Sequence, residues 1–89
     1  MTQPYLEVTF RGGKAIAAYL DLPRRTADTV ARSEPFDQVI VVDRAADGRP
    51  TGLEIVDPQA LDLVRLNDLL KRLDQPAWSA ADLAPLHAA

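Results

Sequence analysis

The sequence predicts an α+β domain: an antiparallel β-meander of four to five strands with a C-terminal amphipathic helix packed on one face. Three observations carry it. The run Val39-Ile40-Val41-Val42, with Asp47-Gly48 after it, reads as a strand and a turn. β-Branching favours extended backbone, and glycine accepts the positive φ that hairpin turns need. Residues 5–10 alternate apolar with polar, the period of a half-buried strand. After Val56 the apolar period changes from two to near 3.6, and a leucine stripe begins.

In chain order, Leu6, Val8 and Phe10 share one face of the first strand, and Tyr5, Glu7 and Thr9 the other. Arg11-Gly12-Gly13-Lys14 is a hairpin turn. In 15–22, Ile16, Ala18, Leu20 and Leu22 are expected inward, with Ala17, Tyr19 and Asp21 outward. Pro23-Arg24-Arg25 breaks the pattern. Within 26–34 the segment Thr29-Val30-Ala31-Arg32 is a candidate edge strand that Pro35 ends. The hairpin 38–56 follows, with a loop of four or five residues around Asp47-Gly48. Leu53 and Ile55 fall on one face of its second strand, Glu54 and Val56 on the other. Pro50 belongs at the strand entrance, and Gly52 marks a bulge or a close backbone approach.

Asp57-Pro58 suits a helix opening, so the helix is expected over about 58–73, within a segment 57–74 that follows the 5–56 meander. Leu63, Leu66, Leu69, Leu70 and Leu73 fall in an arc roughly 120° wide at about 100° per residue. Pro76 stops continuation. In the tail, 75–89, Ser79-Ala80-Ala81-Asp82 has the form of a capping box, with Asp for the usual Glu. A short helical turn over 78–86 then lies across the core, or the tail frays; Trp78 fills a gap in the first case.

Composition excludes several functions. At 89 residues, 47% hydrophobic and 26% charged, the chain is one ordinary globular domain. A net charge of −3, with basic residues paired only as Arg24-Arg25 and Lys71-Arg72, argues against nucleic-acid binding. There is no cysteine, hence no disulfide, thiolate nucleophile or thiol metal site. No apolar stretch approaches the roughly 20 residues that span a bilayer. Met1-Thr2-Gln3-Pro4 does not read as a signal peptide, and a cytoplasmic setting is expected.

No constellation of reactive residues emerges. Asp43, Asp47, Gly48 and Glu54 match places of a calcium loop, but Ala45 stands where an oxygen ligand belongs, and the flanks are strand-like rather than helical. Turn chemistry explains the match. His87, the single histidine, lies in an alanine-rich tail and lacks the held geometry of a general base. Asp21, Asp43, Glu54 and Asp57 are read as solvated strand ends and outer faces; a small-molecule or metal-binding enzyme that uses such carboxylates is an alternative. Ser33 and Ser79 sit in no nucleophile-elbow pattern. No catalytic residue, metal ligand or cofactor is therefore assigned. What is left is apolar surface: one helix covers one sheet face, whereas the valine run is apolar on both. The expected contact surface is Val39, Val41, Leu63, Leu66, Leu70 and Leu73, and the expected partner a second copy, in a homodimer.

Val8-Thr9-Phe10, Ala18-Tyr19-Leu20, Val39-Ile40-Val41-Val42-Asp43, Asp47-Gly48 and Gly52-Leu53-Glu54-Ile55-Val56 occur in an order similar to that of a known family. Over about residues 6–57 the chain resembles the bacterial domain-of-unknown-function family numbered twenty-two eighty-three. The resemblance implies a β-meander without established activity, and some members are suspected of being antitoxin-like partners of a small toxin. The chain departs from the family at Arg11-Gly12-Gly13-Lys14-Ala15, where members tend to carry acids, and in the helical extension from Pro58.

Overall fold

The computed structural model describes residues 4–23 and 29–87. Five antiparallel strands, β1 (Tyr5–Arg11), β2 (Lys14–Asp21), β3 (Arg32–Pro35), β4 (Ile40–Arg44) and β5 (Pro50–Ile55), precede one helix, α1 (Leu63–Arg72). The α+β class and the C-terminal position of the helix are as the sequence predicts. The sheet order is β1-β2-β5-β4-β3. The chain thus meanders within β1–β2 and within β3–β4–β5, and the two units join where β2 pairs with β5. The β2–β3 connection takes the chain to the far edge of the sheet. Among the described residues, no helix is long and apolar enough to cross a membrane.

Local chemistry sets each turn. Gly12 and Gly13 take φ of 58° and 75° between β1 and β2. Gly48, at φ 92°, closes the β4–β5 loop, where Asp47 Oδ1 accepts from the Arg49 N–H at 3.0 Å. Asp37 Oδ1 accepts from the Val39 and Ile40 N–H groups, turning the chain into β4. Burial works against the charge of Asp37, yet the bonds from Val39, Arg65 and Ile40 outweigh it and hold the carboxyl below its usual 3.8.

Two strand expectations need correction. A register shift at Thr9/Phe10 makes Phe10 pair with Ala15, leaving Ile16 as the extra residue. Ala15 then faces the core and Ile16 is exposed, the reverse of simple alternation. Phe10, expected beside Leu6 and Val8 in the core, lies beyond it and is also exposed. The edge strand runs over Arg32–Pro35 rather than 29–32, and Pro35 lies within it, which an edge tolerates. Of the segment 26–34, residues 26–28 fall outside those described.

The helix also starts later than expected. Asp57-Pro58 opens only a 3₁₀ turn (Pro58–Ala60), and the Asp57 side chain makes no capping bond. Leu61 is extended and buried, which interrupts the helical path. Asp62 is the true cap, accepting from the Val64 N–H at 2.8 Å. At the other end Asp74 is left-handed, with Gln75 N–H bonded to the Leu70 carbonyl and Asp74 N–H to that of Lys71. That is the Schellman ending, made here with Asp where glycine is usual.

α1 buries Leu66, Leu69 and Leu70 against Leu20, Ile40, Val42, Leu53 and Ile55 of the sheet. Each such leucine is worth about 1.5–3 kcal/mol of transfer free energy. Arg65 stacks over the Phe36 ring at 4.8 Å and bonds Asp37 Oδ2 at 3.0 Å, which ties the helix to the approach to β4. The tail packs across the core rather than fraying: Leu83 and Leu86 are buried, and the Gln59 amide bridges the carbonyls of Ala15 and Leu86. Ser79 and Asp82 form the expected reciprocal cap. Asn67 grips the Trp78 backbone at both N–H and C=O, which seats the half-buried indole against the core.

Candidate functional site

The face of the sheet opposite α1 carries a polar cluster at its centre. Gly52 on β5 lies between Asp21 of β2 and Asp43 of β4. The Tyr19 ring crosses over Gly52, and a Cβ there would run into Oη, Cε1 and Cζ of that ring. Because glycine leaves this lane open, the Tyr19 hydroxyl reaches across β5 and donates to Asp43 Oδ2 at 2.8 Å. From the other side the Ser33 hydroxyl donates to Asp43 Oδ1 at 2.6 Å. The Thr51 hydroxyl donates to the Asp43 carbonyl at 3.2 Å, beside a register shift that makes Thr51 an extra residue on β5. The cluster thus binds β2, β3, β4 and β5 together.

Glu54 completes it. A hydrogen bond to Asp43, then burial, then repulsion from the Asp43 charge raise the Glu54 carboxyl above its usual 4.5. Tyr19 and Ser33 also donate to Asp43. Folding therefore favours protonated Glu54. That stabilisation is fully present below about pH 4.5 and is lost as pH rises through the raised folded value. Glu54→Gln keeps a donor and removes the repulsion. Its urea midpoint should change less than that of the native chain between about pH 4 and 7, and equal or exceed it at the upper end. A native-like slope in the variant would remove Glu54 from this account.

The carboxylates read as solvated are not all so. Asp21 is 2% and Asp43 4% exposed, Asp43 because the Tyr19 ring lies across the glycine beside it. Asp57 is exposed, at the end of β5, and does not join them. Asp47 also binds the Arg49 guanidinium at 2.6 Å, so it serves the turn. Among the described residues no group of three or more His, Cys, Asp or Glu could hold a metal ion. The Tyr19 and Ser33 hydroxyls donate to the Asp43 carboxylate and that of Thr51 to the Asp43 carbonyl, bonds that hold the strands in register.

The expected contact surface is partly core. Leu66 and Leu70 are fully buried within the chain, so they offer nothing to a partner. Val39, Leu63 and Leu73 are half-buried and pack on the same core. Val41 lies half-buried on the open sheet face, paired with Glu54. Among the described residues, the large apolar side chains left exposed are Tyr5, Phe10 and Ile16 on β1 and β2, Val30 ahead of β3, Val56 just beyond β5, and Val64 on the outer side of α1. Strict alternation misplaces Ile16, which the bulge turns outward, whereas Tyr5 and Val56 lie on the outer faces that alternation gives them. A depression of about 300 Å³ beside Trp78 is lined by Pro4, Pro76, Ala77 and Asp82, and Asp82 is already bonded to Ser79.

Comparison of the chain with protein-family models, with curated proteins and with solved structures finds no match.

Proposed function

We propose that this chain is a non-enzymatic protein-interaction domain that associates with a second copy of itself, using the β1–β2 side of the sheet rather than α1. One observation carries the reading. The buried leucines of α1 are consumed by the chain's own core, whereas Phe10 and Ile16 stay 49% and 43% exposed side by side at the glycine-turn end of the β1–β2 hairpin. Clustered apolar surface of this kind is what association covers. The same surface would suit a small toxin as partner, the role that the resemblance over residues 6–57 implies. The cysteine-free sequence supports a cytoplasmic setting.

Native mass spectrometry of the purified protein tests this. The expected species has twice the 9.7 kDa chain mass. A monomer carrying a small-molecule or metal adduct would sink the interaction reading and direct attention to Asp43 and Glu54. A bare monomer would reject self-association, and recovery of a heteromer from the native cells would then decide for the toxin-type partner.

A further inference from the structure

The two edges of the sheet differ. β3 has four residues, Arg32, Ser33, Glu34 and Pro35, and its charges and proline blunt it against strand addition. β1 has seven residues, with neither proline nor lysine. Among the described residues, the backbone groups of 6–11 bond only to β2, so one side of β1 offers free N–H and C=O groups. Natural sheets rarely leave such an edge bare.

The side chains of β1 suit its own copy. Glu7, Thr9 and Arg11 alternate with Val8 and Phe10. In an antiparallel pair centred on Thr9, Glu7 stands opposite Arg11 of the second copy and Arg11 opposite its Glu7. Val8 then stands opposite Phe10, twice over. Glu7 and Arg11 have no ion pair among the described residues, while Glu34, Asp37, Asp47 and Asp68 each do. Opposite charges and apolar pairs facing each other across a ladder stabilise it, whereas like charges destabilise it. A pair centred on Val8 overlaps more residues but sets Glu7 against Thr9 and leaves Arg11 against Tyr5.

We infer that β1 is the dimer seam: two copies join edge to edge in antiparallel register about Thr9, which makes one ten-stranded sheet with two Glu7–Arg11 pairs and two Val8–Phe10 pairs. This rests on the self-association reading and specifies where it happens. The symmetry is two-fold and isologous, the form most homodimers take.

The natural chain has no cysteine, so a single introduced thiol reports one contact. Under mild oxidation Thr9→Cys should give a disulfide-linked dimer, because a thiol at the two-fold meets its own copy within disulfide reach. Val56→Cys, on the open sheet face, should not. By analytical ultracentrifugation, Glu7→Arg or Arg11→Glu alone should weaken the dimer about tenfold, and the double exchange should restore it. A dimer that links through Val56→Cys and ignores both charge reversals would overturn the seam while self-association stands on another surface. A native chain that stays monomeric at tens of micromolar would overturn both.

Discussion

Leu70→Ala is expected to destabilise the fold by about 2–5 kcal/mol, the range for removing a buried leucine from a core that cannot collapse around the gap. Leu70 is fully buried at the contact of α1 with the sheet, with Leu66 and Leu69 beside it and Leu20 and Leu53 in the same cluster. Its carbonyl also receives the Gln75 N–H that ends the helix, a bond the substitution leaves intact. The loss is thus one of packing and not of helix termination. A domain of this size has only about 5–10 kcal/mol to lose, so the variant should unfold at a much lower urea concentration. Trp78, the single tryptophan, packs on the same core and supplies the fluorescence signal. Measurements at one protein concentration remove the effect of association. A loss below 1 kcal/mol with an unchanged urea slope would mean that α1 is not docked as described.

Gly52→Ala should reverse sign with its background. In the native chain a Cβ at Gly52 strikes the far end of the Tyr19 ring. The ring can swing aside, but its hydroxyl then leaves Asp43, a carboxylate that is almost wholly buried. Depriving such a group of a donor costs about 1–3 kcal/mol. In a Tyr19→Ala background the ring is gone, and alanine should be better than glycine by about 0.5–1 kcal/mol, because glycine loses more backbone freedom in a strand. The four chains of this double-mutant cycle, compared by urea unfolding, isolate the coupling. Equal costs in both backgrounds would show that the Tyr19 ring does not lie over Gly52.

Much of the framework was legible because it depends on neighbours in sequence. The paired glycines at 12 and 13, Asp47-Gly48 and the Ser79–Asp82 cap act over a few residues, and each forms as its local chemistry demands. Gly52 reads locally as a bulge or a close approach, yet nothing local names Tyr19 as the group approaching, 33 positions away in the chain. The Asp43 cluster stayed hidden for the same reason: Tyr19, Ser33 and Glu54 come from three other strands, and only the register brings them together.

Misjudged positions share a cause as well. Asp57 and Asp62 are both good caps by type, and the burial of Leu61 between them decided for Asp62. Strict alternation places Ile16 inward, which one extra residue in β2 undoes, and it places Phe10 on the core face, where the core ends short of it. Leu66 and Leu70 fit a partner surface as well as they fit a core, since a periodic stripe says that a face is covered and not by what.

The sequence by itself determined the α+β class, the strand and turn positions of both hairpins, and one leucine-faced helix, because periodicity and turn residues are local properties. The tertiary structure alone decided that β2 pairs with β5, that the helix leucines close the chain's own core, and that Asp43 is buried under Tyr19. Those outcomes rest on contacts between distant residues, where register, burial and hydrogen-bond partners are settled together.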